Sequence, residues 1–72
     1  MTADDRALIQ HLFTLATEIL EDAHPAATAG QSLKRRRALY AQNAAILQNA
    51  ARDLDASAQT ILAILNKNLR VP

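Results

Sequence analysis

The chain has no cysteine, and it has little glycine, proline or aromatic material. Without cysteine it can form no disulfide, no thiolate nucleophile and no cysteine-ligated zinc site. Phe13 and Tyr40 are the only aromatic residues, and one glycine and two prolines leave few turn signals. Aliphatic β-branched residues are also few, which argues against a sheet. Alanine and leucine supply 27 of the 72 residues, so the composition predicts an all-α protein.

Long apolar runs are absent as well, since none reaches the ~18 residues of a membrane span. The first apolar stretch follows Asp4 and Asp5 and contains Gln10 and His11, unlike the basic start of a signal peptide. These features predict a cytoplasmic protein, and the alanine content favours a bacterial one. A chain this short buries only about 60% of its unfolded surface, so we expect oligomerisation or a partner to stabilise its fold.

The N-terminal third predicts an amphipathic helix over residues 3–23. Thr2 is a candidate N-cap, and Asp4 and Asp5 suit the positive end of the helix dipole. Two neighbouring apolar stripes give this helix an apolar surface wider than one partner helix covers. The first stripe contains Leu8, Leu12, Leu15 and Ile19, and the second contains Ile9, Phe13, Ala16, Leu20 and Ala23. Pro25 disfavours helical geometry at His24, so we expect the helix to end there and residues 24–32 to form the linker.

The second predicted helix spans residues 33–68, with Ser32 preferred over Thr28 as its N-cap. Large side chains recur every seven residues, and mostly alanine falls between them, which indicates a heptad seam of antiparallel packing. The recurring residues are Leu33, Tyr40, Leu47, Leu54, Ile61 and Asn68, and those between are Ala44, Ala51, Ala58 and Leu65. No Gly or Pro interrupts this segment, which favours an unbroken helix over a break near residues 53–57.

Helix lengths of roughly 32 and 54 Å predict an antiparallel hairpin of unequal arms. The longer arm would overhang the shorter one by about 20 Å. Two helices cannot enclose the apolar surface of such an overhang, so we expect the hairpin to dimerise into a four-helix, coiled-coil-like bundle. The predicted partner-binding residues lie on this overhang and are Leu54, Ala58, Ile61, Leu62 and Leu65.

Charge is unevenly divided along the chain, although its formal net value is only +1. The basic patch consists of Lys34, Arg35, Arg36 and Arg37. In an antiparallel hairpin it would lie beside Glu18, Glu21 and Asp22, so charge complementarity across the hairpin mouth is the favoured interpretation. The alternative is a contact with phosphate, as in a small nucleic-acid-binding regulator. That alternative is weaker because no aromatic residue flanks the patch and the total charge is nearly neutral.

Residues with catalytic or ligating chemistry are sparse and scattered. His11 and His24 are thirteen positions apart, and no phosphate loop, nucleophile elbow or convergent carboxylate pair is present. Asp53 and Asp55 are two positions apart, which places them on different helix faces. The sequence therefore predicts a non-enzymatic protein with no catalytic residue, no cofactor and no metal.

Between Glu18 and Leu65, four segments follow one another in a recognisable order. They are an acidic helix end (Ile-Leu-Glu-Asp, 19–22), a linker of small residues, the basic patch, and a long helix containing Tyr-Ala-Gln-Asn-Ala-Ala-Ile-Leu-Gln, 40–48. This order resembles flagellar export chaperones of the FlgN type and, comparably, small hairpin chaperones and needle subunits of type III secretion. The resemblance implies a helical hairpin whose apolar groove binds an amphipathic segment of an exported protein.

These observations together predict a single helical-hairpin domain over residues 1–72 that acts by helix-in-groove binding. Its expected partners are a second copy of the chain, another protein's amphipathic helix, or both. A chaperone, adaptor or regulator is the leading interpretation. The alternatives are the nucleic-acid-binding regulator described above and a self-assembling structural subunit.

Overall fold

The computed structural model describes residues 1–32 and 36–69 and shows a helical hairpin. Within those residues there are two helices and no strand: α1 spans Ala3–Gly30 and α2 spans Arg37–Leu69. The hairpin is elongated, with principal extents of 58 × 17 × 12 Å. The predicted all-α hairpin is confirmed, and α2 is unbroken across residues 53–57.

The start of α1 agrees with its sequence signals. The Thr2 hydroxyl accepts a hydrogen bond of 3.0 Å from the backbone N–H of Asp5, and Asp4 and Asp5 occupy the first turn. Thr2 thus satisfies one of the free N–H groups that every helix start exposes.

The end of α1 corrects the expected linker over residues 24–32. The helix does not stop at residue 23 but continues through Pro25 to Gly30, and Gln31 is its C-cap. Pro25 itself is exposed, whereas Ala23 and Ala26 on either side are buried. Packing of these two alanines holds the helix together where local propensity opposes it, because tertiary contacts override propensity.

The start of α2 is also later than expected. The helix begins at Arg37, not beside Ser32, so neither Ser32 nor Thr28 is its N-cap. The Thr28 hydroxyl instead donates to the carbonyl of His24 within α1, at 3.0 Å. The Tyr40 hydroxyl donates to the Ser32 carbonyl and links α2 to the end of α1. Leu33, Lys34 and Arg35 lie outside the described residues.

The arms are nearly equal, with 28 residues in α1 and 33 in α2, so the predicted overhang is wrong. At the open end of the hairpin, Nδ2 of Asn68 donates to Oδ2 of Asp5 at 3.3 Å. An antiparallel pair in this register places Leu12 opposite Ile61 and Ile19 opposite Leu54. The physical reasons are the two extra turns of α1 and the later start of α2, which together bring the start of α1 level with the last turn of α2.

The contact between the helices follows a heptad seam on each of them. On α1 the buried and half-buried residues combine the two predicted stripes; they include Ile9, Leu12, Ala16, Ile19, Ala23 and Ala26. On α2 the half-buried or buried large residues include Tyr40, Leu54 and Ile61, as predicted, whereas Leu47 stays exposed. The residues between them are Asn43, Ala50, Ser57 and Ile64, so the expectation of Ala44, Ala51, Ala58 and Leu65 is wrong by one position.

The hydrogen bond between Asn68 and Asp5 should make the thermal stability of the hairpin depend on pH in the acid range. The hydrogen bond from Asn68 lowers the pKa of Asp5 from 3.8, assisted by Lys67 and Thr2 and opposed by partial desolvation. A lowered pKa in the folded state stabilises the fold above the unfolded pKa and loses that effect as pH falls through the folded pKa. Asn68→Ala should therefore lower the Tm at pH 6, and its difference from wild type should shrink below about pH 3.8. Thermal melts from pH 6 to strong acid test this, and a constant difference would contradict it.

Candidate functional site

The core of the hairpin is small, and much apolar surface stays open. Among the described residues only Ala23, Ala26 and Ile61 are buried hydrophobic residues. The exposed large ones lie on both edges of the seam and include Leu8, Phe13, Leu20, Leu39, Ile46, Leu62 and Leu65. Exposed apolar surface of this extent is typical of an interaction site.

One edge carries a surface that we call the apolar face: Phe13, Leu20, Ala51, Ala58, Leu62 and Leu65. All six side chains are exposed, with Phe13 and Leu20 each 58% exposed. Leu20 is rotated about 100° from the seam residue Ile19, and Leu62 by about the same angle from Ile61. Since the helices are antiparallel, these rotations bring the six residues to the same edge of the hairpin.

The opposite edge carries a concave site that we call the waist cleft. Its volume is about 240 Å³, and it is open to solvent at the middle of the hairpin. Residues from both helices line it: Ile19, Asp22, Ala23, Ile46, Asn49, Ala50 and Asp53. Asp22 and Asp53 give the rim of an otherwise largely apolar cleft two carboxylates, one from each helix.

The predicted partner-binding residues are divided by the structure. Ala58, Leu62 and Leu65 are exposed and belong to the apolar face. Leu54 is half-buried and Ile61 is only 7% exposed, because both lie on the seam that α1 covers. Their expected place on an overhang is therefore wrong, and Ile61 is part of the hairpin core.

The basic patch does not pair with the acidic residues of α1 in the described part of the chain. Arg36 and Arg37 are exposed, and no ion pair joins either of them to Glu18, Glu21 or Asp22. The expectation of charge complementarity is wrong for these two arginines, since α1 continues eight residues beyond Asp22, about 12 Å. Lys34 and Arg35 lie outside the described residues.

Other ligand chemistry has little support in the geometry. His11 and His24 are exposed, and no group of three or more His, Asp or Glu side chains in residues 1–32 and 36–69 could hold a metal ion. Over the described residues, no segment of α1 or α2 has both the length and the mean hydropathy of a transmembrane span.

Sequence reasoning missed Asp22, Ile46 and Asp53 as a site, because their proximity depends on the register between the helices. It did place Phe13 and Leu20 on one stripe, and their seven-residue spacing was the available signal for the apolar face. Comparisons with protein-family models, with curated proteins and with solved structures give no match.

Proposed function

We propose that the chain is a non-enzymatic helical interaction module, a cytoplasmic chaperone, adaptor or regulator that binds an amphipathic helix of another protein. The observation that carries the proposal is the apolar surface open on both edges of a hairpin in which only three of the described hydrophobic residues are buried. A helix laid along either edge would cover side chains that α1 and α2 cannot cover for each other.

The size of the open surface supports this proposal. The chain exposes 5838 Å², whereas a compact monomer of 7.8 kDa exposes about 4,400 Å². The excess, of the order of 1,400 Å², exceeds the roughly 800 Å² that each partner buries in a standard interface. The hairpin therefore has room for an interface of stable size without losing its own packing.

Charge decides which occupant suits which edge. In a twofold dimer the same surface patch of the two copies meets, so a patch of one charge would face the same charge on the other copy. The six residues of the apolar face are all uncharged, which suits contact with a second copy. The waist cleft would bring Asp22 and Asp53 against their own copies, which disfavours self-pairing there.

The proposed arrangement is thus a four-helix dimer joined through the apolar faces, with each waist cleft left open for a partner helix. It agrees with what the resemblance to FlgN-type export chaperones implies, namely a hairpin that presents a groove to an amphipathic segment. The uncovered helix edges support a binding role, while the basic patch adds no observation in favour of the nucleic-acid alternative.

A charge placed in the apolar face tests the dimer. Leu20→Asp should weaken dimerisation about a hundredfold or more, because each dimer would bury two unpaired carboxylates. Ala45→Asp is the matched control, since it adds the same charge on the outer surface of α2 and should leave dimerisation unchanged. Sedimentation equilibrium at micromolar concentration measures both. Equal masses for Leu20→Asp and wild type would overturn the assignment of the apolar face.

A further inference from the structure

We infer that the waist cleft binds a partner helix that carries Lys or Arg on both flanks of its apolar stripe. This inference rests on the proposed function and names the class of partner. The carrying observation is the composition of the cleft: Asp22 and Asp53 stand on its two rims, and none of the described residues that line it is a cation.

The two rim carboxylates carry charges that the described part of the hairpin leaves uncompensated. Within residues 1–32 and 36–69, neither Asp22 nor Asp53 has an ion-pair partner. Lys67 lies on the same edge of α2 but is fourteen residues from Asp53, about 21 Å along the helix. Arg52 is turned about 160° from the seam residue Leu54 and faces outward. Both charges are thus available to a partner.

The shape of the cleft sets where the partner's cations must lie. Ile19, Ala23, Ile46 and Ala50 supply apolar surface between the rims, which suits an apolar stripe laid along the hairpin axis. Residues on either side of such a stripe then approach α1 and α2 respectively, as flanking residues do in helical bundles. A cation on one flank reaches Asp22, and a cation on the other reaches Asp53.

A second copy of this chain is a poor occupant by the same reasoning. Presented through this edge, it would bring Asp22 and Asp53 to a cleft that already holds two carboxylates. Like charges at an interface suppress the wrong partner. The cleft therefore selects a basic helix of a different protein, and the apolar face stays free for dimerisation.

Two synthetic helices of about three heptads test the inference. Both carry leucine on the apolar stripe, and the flanking residues are lysine in one and glutamate in the other. Fluorescence anisotropy of the labelled peptides with the wild-type protein should show the lysine peptide binding at least about tenfold more tightly. Its affinity should fall between about 0.05 and 0.5 M salt, because the rim charges are exposed to solvent.

Two double variants locate the effect. Asp22→Asn with Asp53→Asn should weaken binding of the lysine peptide about tenfold or more at nearly constant shape. Glu21→Gln with Asp55→Asn removes one charge from each helix outside the cleft and should leave the affinity unchanged. Circular dichroism melts confirm that both double variants fold.

The outcomes separate this inference from the proposed function. Three results would each overturn the basic-partner inference: equal binding of the two peptides, equal losses of affinity in the two double variants, or no binding of the lysine peptide. The proposed function survives the first two results, since a helix is still bound. It fails together with the inference if neither peptide binds and the wild-type protein is a folded monomer.

Discussion

Ile61→Asp is expected to unfold the hairpin. Ile61 is the one large side chain among the buried hydrophobic residues in the part of the chain that the structure describes, and the helix register places it opposite Leu12. An unpaired carboxylate at this position costs several kcal/mol, and a chain of this size has only about 5 kcal/mol of stability to lose. Circular dichroism at 25 °C should show loss of most helical signal.

Leu62→Asp is the control for that substitution, because the neighbouring side chain is 58% exposed and lies on the apolar face. The variant should keep the helical signal of the hairpin and lose affinity for a second copy. A different effect of Ile61→Asp and Leu62→Asp on folding supports the described helix register. On an overhanging arm both residues would face solvent, and the two substitutions would have similar effects. Equal effects of the two substitutions on folding would contradict the helix register described above.

Pro25→Ala is expected to give the largest gain in stability. A proline inside a helix lacks the N–H of an intrahelical hydrogen bond and costs about 3 kcal/mol relative to alanine. Removing it also gives the unfolded chain more conformational freedom, and this lowers the gain in stability by about 1 kcal/mol. The net effect of about 2 kcal/mol should raise the Tm by about 10 °C in a domain of this size.

Pro25→Gly provides the matched comparison. Glycine restores the N–H but is about 1 kcal/mol less favourable than alanine in a helix, so its Tm should fall between those of wild type and Pro25→Ala. If residues 24–32 were a linker outside the helix, neither substitution would raise the Tm. Differential scanning calorimetry of the three proteins thus tests whether α1 continues to Gly30 in solution.

The sequence predicted two helices in a hairpin, and it did so from particular features. Thr2 followed by two aspartates marked the start of α1, and the seven-residue recurrence of Tyr40, Leu54 and Ile61 marked the inner face of α2. The end of α1 could not be predicted in this way. Pro25 is a strong local stop signal, and the packing of α1 against α2 on both sides of it, which buries Ala23 and Ala26, outweighs that signal.

The candidate sites depended on that same boundary. With α1 ending at residue 23, Ile61 and Leu62 would both project beyond the shorter arm. With α1 ending at Gly30, Asp5 reaches Asn68, Ile61 is covered, and only the edge residues stay open. Ala58, Leu62 and Leu65 were predicted from a place on an overhang that the structure does not have, and they are exposed because they lie at the edge of the seam. The waist cleft was missed because Asp22 and Asp53 are 31 positions apart in the sequence and meet only through the register.

Small-angle X-ray scattering of the wild-type protein at micromolar concentration tests whether the hairpin is an incomplete unit that other helices complete. Side-by-side pairing through the apolar faces predicts twice the chain mass of 7.8 kDa with a maximum dimension close to the 58 Å of one hairpin. A fully folded particle with the mass of a single chain would contradict the account, because its apolar face would then be stable in water without a partner.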